Sequence, residues 1–135
     1  MSLSLRDAAA SASASAYAPH SRLHVGAAVR SVSGAVYAGC NVENASFPIG
    51  GCAERSAIAA AVLAEGAAFR LSAVAIVARD ASGRDLPVPP CGACRQALVE
   101  FGPGAEVGFL GADGQWQTVI AADLLPFRFV LDAAE

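Results

Sequence analysis

Gly51-Cys52-Ala53-Glu54-Arg55 leads into an Ala-rich run that ends at Glu65-Gly66. Alanine is the best helix former and glycine the commonest terminator, so this stretch reads as a helix over Cys52 to Glu65 with Cys52 at its entrance. About forty residues on comes Pro89-Pro90-Cys91-Gly92-Ala93-Cys94-Arg95-Gln96. It reads as the start of another helix, over Cys91 to Phe101, which Gly102-Pro103 closes. The two helix starts supply three thiols, Cys52, Cys91 and Cys94, and one carboxylate, Glu54. A zinc enzyme that activates water needs three protein ligands, an open fourth position and a proton carrier that is not itself a ligand.

Outward from these helices the chain alternates. Leu5, Ala8, Ala9, Ala12 and Ala16 recur at helical spacing, so residues 4–16 read as a first helix, ended by Pro19 and small enough in side chain to lie close on a sheet. Residues 25–32 and 35–42 flank Ser33-Gly34 as a β-hairpin. Asn44, Ser46, Pro48, Gly50 and Gly51 make 43–51 a loop. Residues 72–79 read as a buried strand and Ser82–Pro90 as a Gly/Pro loop. Two more strands, 107–110 and 116–120, surround Asp113-Gly114, and 121–125 forms a short closing helical turn. Helices interleaved with strands predict a sheet covered on both faces, and the opening hairpin makes that sheet mixed.

The bulk properties narrow the function. At 135 residues and 55% hydrophobic, the chain fits a single folded domain, 1–135, with a sizeable core. A net charge of −3 without basic clusters argues against a nucleic-acid partner. Every basic residue is Arg, so Schiff-base chemistry and a P-loop lysine are excluded. The absence of a long apolar run predicts no membrane span, and the Ser-rich start is wrong for a signal peptide, so the expected location is cytoplasmic. In that compartment, cysteines serve metals or catalysis more often than disulfides.

The placement of the thiols suits reactivity. Helix N-termini carry partial positive charge and free N–H groups, which favour thiolate over thiol. Cys91 and Cys94 are three apart and share a face of the first turn. Glu54 lies two residues beyond Cys52, a rotation of about 200° in a regular helix. Both can face one metal only if Cys52 sits at a non-helical entry. Three thiolates around Zn²⁺ leave a net negative centre that weakens the pull on bound water. Arg55, always protonated, is the neighbour placed to donate hydrogen bonds to the ligand sulfurs and offset that charge.

Taken together, Tyr17-Ala18-Pro19-His20-Ser21, Cys40-Asn41-Val42-Glu43-Asn44, Cys52-Ala53-Glu54-Arg55, Pro90-Cys91-Gly92-Ala93-Cys94-Arg95-Gln96 and Leu124-Leu125-Pro126 with Phe129 resemble the small, one-domain cytidine deaminases from Tyr17 to Phe129. A three-Cys ligand set with a Glu that does not bind the metal is the known pattern of zinc deaminases. The resemblance implies a three-layer α/β/α sandwich with a five-stranded mixed sheet. It implies one zinc on Cys52, Cys91 and Cys94, Glu54 as proton shuttle, and conversion of cytidine or deoxycytidine to the uridine with loss of ammonia, for pyrimidine salvage. Asn41 and Glu43 then match positions that bind the ribose hydroxyl, and the Ala53 backbone one that contacts the base. Phe129 matches an aromatic that reaches a neighbouring subunit's ligand in a homotetramer with shared active sites.

Two positions depart from that pattern. Leu23 replaces a Phe that packs on the base, and Phe47 replaces a Tyr in the substrate loop. Unreplaced, the lost stacking costs about 1–3 kcal/mol. A modified cytosine nucleoside or another aminated heterocycle is therefore an alternative substrate. Other readings stand beside the enzymatic one. A structural zinc module would recruit Cys40 as a fourth ligand, though only one Cys-x-x-Cys knuckle is present. A thioredoxin-like pair at Cys91 and Cys94 would leave Cys52 and Glu54 without a role. His20 and His24 read as ordinary loop residues, and Arg95 as either a second sulfur partner or a surface side chain.

Overall fold

Two long apolar strands form the centre of the sheet. In the computed structural model, which describes residues 4–131, β1 (His24–Ser31) pairs antiparallel with β3 (Leu71–Arg79), Ala27 opposite Ile76. Both strands are buried on both faces, which explains why they read as nearly continuous apolar runs rather than alternating ones. The outer strands are β2 (Val36–Cys40) beside β1, and β5 (Glu106–Leu110) followed by β6 (Trp116–Ile120) beyond β3. Among the strands of the described residues, only β3 and β5 pair in parallel, Val74 opposite Val107. A parallel pair needs a long crossover, and the helix α3 (Gly92–Phe101) lies within it.

The helices cover the sheet from two sides. Ala9 of α1 (Leu5–Ser13) packs with Ala28, Ala75 and Val77 on one face. Ala53, Ala57 and Ala61 of α2 (Ala53–Glu65), with Leu98 and Val99 of α3, pack with Val25, Ala27, Val29, Val74 and Ile76 on the other. The result is the three-layer α/β/α arrangement. Two glycines set how close the layers come. A methyl group on Gly26 would lie 1.9 Å from the Ala9 carbonyl oxygen, and one on Gly39 would lie 2.4 Å from the Ala57 nitrogen. No helix among the described residues is long and apolar enough to cross a membrane.

Three boundaries differ from those expected. The sheet has six strands, not five, because β4 (Asp85–Leu86) pairs with Ala78 and Arg79 inside the Gly/Pro loop. Two residues carry no periodicity to read, and this short pairing is backed by an ion pair from Arg79 to Asp85 at 2.8 Å. The helix α1 stops at Ser13, well before Pro19, and Tyr17 then donates its N–H to the Asn41 carbonyl. The hairpin pairing stops at Cys40, and Val42 instead bridges Tyr17 and Gly51. The single-domain reading over 1–135 includes residues 1–3 and 132–135, which lie outside the described residues.

Glu65, at the end of α2, ties that helix to the β1–β2 hairpin. Its carboxylate accepts hydroxyls from Ser31, Ser33 and Tyr37, each at 2.8 Å. The hydroxyls of Ser31, Tyr37 and Ser33 hold its pKa below the ordinary carboxylate range. A lowered folded pKa means the clamp stabilises the fold at neutral pH and loses that effect as pH falls through about 4.5 and below. Glu65→Gln should therefore melt a few degrees below the native chain at pH 7. That gap should close in a series of melts taken down to pH 3; a gap independent of pH would rule out the carboxylate as its source.

Candidate active site

The three thiols meet where the starts of α2 and α3 converge. Cys52 is the N-cap of α2 in extended backbone conformation (φ −82°, ψ 155°), and Cys91 caps α3 in the same way (φ −68°, ψ 168°). Cys52 therefore sits at the non-helical entry that the 200° problem required, and Cys94 follows in the first turn of α3. The three Sγ atoms lie within 4.8 Å of one another, with Cys52 and Cys91 3.9 Å apart. Tetrahedral zinc with Zn–S bonds of about 2.3 Å puts sulfurs about 3.8 Å apart, so the donor set fits one zinc ion per chain. Cys40 stands outside this group, the single such cluster among the described residues. The four-sulfur structural site is thereby removed, and Cys52 and Cys91 line a cleft of about 320 Å³.

Charge in the cluster is asymmetric. A hydrogen bond from the Cys94 thiol, opposed by partial burial and aided by Arg55 and Cys91, pulls Cys52 down to about 5. Cys94 is pushed well above the usual thiol range because it supplies that proton and is buried. The Arg55 guanidinium donates to Cys52 Sγ at 3.3 Å, and its bonds to the Cys52 and Cys94 sulfurs keep it firmly protonated. Glu54 is 4% exposed and lines the cleft. Burial pushes its carboxyl up, and the charge on Cys52 pushes the same way, against its own backbone N–H, Cys94 and Arg55. A carboxyl shifted upward gives up its proton less readily than an ordinary one, which suits a group that must carry a proton between two partners.

Leu23, Asn41, Glu43, Phe47 and Ala53 line the same cleft as Cys52, Glu54 and Cys91. Asn41 is buried, and its amide spans the start of β1: Oδ1 accepts the Val25 N–H and Nδ2 donates to the Leu23 carbonyl, both at 2.8 Å. The Glu43 carboxylate accepts the N–H groups of His20 at 2.8 Å and Ser21 at 3.1 Å, and the Ser21 hydroxyl. Phe47 is 73% exposed, its ring set edge-on to His20 with centroids 5.5 Å apart. Phe129 does not line its own chain's cleft; it is exposed at the chain end, and its carbonyl accepts Gln96 Nε2 at 3.1 Å.

Two roles were not apparent from the residue pattern. Arg95 touches no sulfur: its Nε donates to the Pro90 carbonyl at 2.8 Å and a terminal nitrogen to the Leu124 carbonyl at 3.2 Å. It thus braces the peptide entering Cys91 against the C-terminal 3₁₀ turn. Ser21 belongs to a quoted segment but had no assigned role, because its partner Glu43 is 22 residues away and no local pattern links them.

An α/β/α sandwich with a three-cysteine pocket at two helix N-termini, and a buried carboxylate beside it, defines a zinc-dependent hydrolase class. The comparisons narrow that class. Residues 3–109 match the family model "Cytidine and deoxycytidylate deaminase zinc-binding region". The cytidine deaminase of Halalkalibacterium halodurans is 42% identical over 87% of this chain and 85% of its own length. That of Mycobacterium tuberculosis is 43% identical over 95% and 89%. The crystal structure of cytidine deaminase from Burkholderia pseudomallei superposes with a TM-score of 0.80 at 42% identity, covering 93% of this chain and 96% of that one. The chain belongs to the cytidine deaminase family.

Proposed function

We propose that this protein hydrolyses cytidine and deoxycytidine to uridine and deoxyuridine with release of ammonia, as a cytoplasmic enzyme of pyrimidine salvage. The observation that carries this reading is the buried Glu54 carboxyl lining the same nucleoside-sized cleft as Cys52 and Cys91 of the three-sulfur cluster. Zinc held by Cys52, Cys91 and Cys94 supplies Lewis-acid activation of water. Glu54 takes a proton from water, delivers it to N3 of the pyrimidine and then assists the departing C4 amino group. Its raised pKa suits both halves of that transfer. Arg55 donates to Cys52 and offsets the excess negative charge of three thiolates.

The Ala53 backbone contacts the base, Leu23 and Phe47 form its apolar walls, and Asn41 and Glu43 orient the sugar. Glu43 is an acceptor when ionised, so it selects a donor, such as a sugar hydroxyl. Phe129 projects outward near Phe127, Val130 and Leu131. That apolar chain end supports a homotetramer in which Phe129 completes a neighbour's site. The aliphatic Leu23 in the wall favours one second reading, a modified cytosine nucleoside or another aminated heterocycle.

Ammonia release separates the two readings. Zinc-loaded protein is incubated with cytidine, deoxycytidine and a panel of aminated heterocycles. Turnover of cytidine and deoxycytidine is the expected result. Silence on both, with zinc stoichiometric, would sink the cytidine assignment and pass the question to the panel.

A further inference from the structure

The turn between α1 and β1 carries Leu23 into the cleft and is tied to Glu43 by two backbone N–H groups and one hydroxyl. Ser21 Oγ donates to Glu43 Oε2 and accepts the Leu23 N–H at 3.0 Å. Between Ser21 and Leu23, Arg22 sits in left-handed backbone (φ 61°), a conformation that costs a non-glycine residue free energy and persists where neighbours impose it. The other carboxylate oxygen, Oε1, already accepts the N–H groups of His20 and Ser21. An ionised carboxylate has about four acceptor positions. Among the described residues three are filled, two on Oε1 and one on Oε2, which leaves one on Oε2, the oxygen that Ser21 holds. Glu43 and Leu23 line the cleft; Ser21 does not, and lies instead in an adjoining hollow with His20, Asn44 and Phe47.

We infer that Ser21 is a positioning residue for sugar selectivity: without touching substrate, its hydroxyl aims the single free acceptor of Glu43 at one sugar hydroxyl and fixes Leu23 at the cleft wall. The inference rests on the reading of Glu43 as the sugar-binding carboxylate. The Ser21 hydroxyl is also the largest influence holding Glu43 below the ordinary carboxylate range, which keeps it an acceptor. With the acceptor limited to one site, Glu43 reads a single donor. Two neighbouring hydroxyls cannot both be bound by it while the turn is closed.

The selectivity of Ser21→Ala, Ser21→Thr and Glu43→Gln tests this. For each, kcat/KM is measured on cytidine, 2′-deoxycytidine and 3′-deoxycytidine with zinc-loaded enzyme. Glu43→Gln is expected to collapse the preference against one of the two deoxy substrates, and so to name the hydroxyl that is read. Ser21→Ala should lower that same preference by about tenfold, the size of one charge-assisted hydrogen bond. The change should appear in KM more than in kcat, and Ser21→Thr, which keeps the hydroxyl, should restore it. A Ser21→Ala enzyme that loses activity equally on all three substrates, or none at all, overturns the inference while Glu43→Gln still shows the sugar reading intact. If Glu43→Gln leaves both preferences untouched, the sugar reading of Glu43 fails first, and this inference falls with it.

Discussion

Glu54→Gln is expected to bind zinc stoichiometrically and yet release ammonia from cytidine at least a hundredfold more slowly than the native chain. The substitution keeps the size of a side chain that is 4% exposed, so it opens no cavity and leaves the Cys52, Cys91 and Cys94 sulfurs in place. What it removes is the ability to carry a proton. A positioned general acid or base is worth about 10²–10⁴ in rate, or roughly 3–5 kcal/mol of barrier. The loss should fall on kcat, because an isosteric amide still fills the cleft wall. Zinc content by atomic absorption and single-turnover ammonia release decide the matter together. A variant that holds zinc and turns over within about tenfold of native would show that another group moves the proton.

Much of the candidate site's local geometry was legible in the sequence, and the reasons are local. The alternation of Ala-rich and Val/Ile-rich runs placed α2, α3 and the five long strands, because core burial imposes periodicity on each segment by itself. Cys52 and Glu54 posed a contradiction on a regular helix, and its resolution, an extended N-cap, is what the backbone adopts. The three sulfurs converge because both helices begin at the same end of the sheet, a consequence of topology that spacing alone hints at.

What stayed hidden depends on partners far apart in sequence. The bonds from Ser21 to Glu43, from Asn41 to Leu23 and Val25, and from Arg95 to Leu124 each join segments with no common pattern. A glycine inside a strand does signal a close backbone approach. Gly26 and Gly39 meet that rule, but which helix each would admit became clear only when α1 and α2 were in position.

Cys94→Ala tests the metal centre through stability as well as chemistry. Cys94 is fully buried in the first turn of α3, and alanine removes one sulfur from a site that needs three. Loss of a partner that merely orients a ligand already costs 10–100-fold in metal affinity, so loss of a ligand should exceed that. A metal that binds only the folded chain stabilises it by about 4 kcal/mol when its free concentration is a thousand times Kd. For a chain of this size that corresponds to a rise in Tm of roughly 12–20 °C. Native protein should therefore melt that much higher with zinc than with a chelator, and Cys94→Ala should melt at one temperature in both. In chelator the two proteins should nearly coincide, since a thiol-to-methyl change in the first turn removes little packing volume. A variant that keeps both the zinc and the thermal rise would mean that two sulfurs and a different donor hold the ion, and Glu54, the nearest buried carboxylate, would then be a ligand rather than a proton carrier.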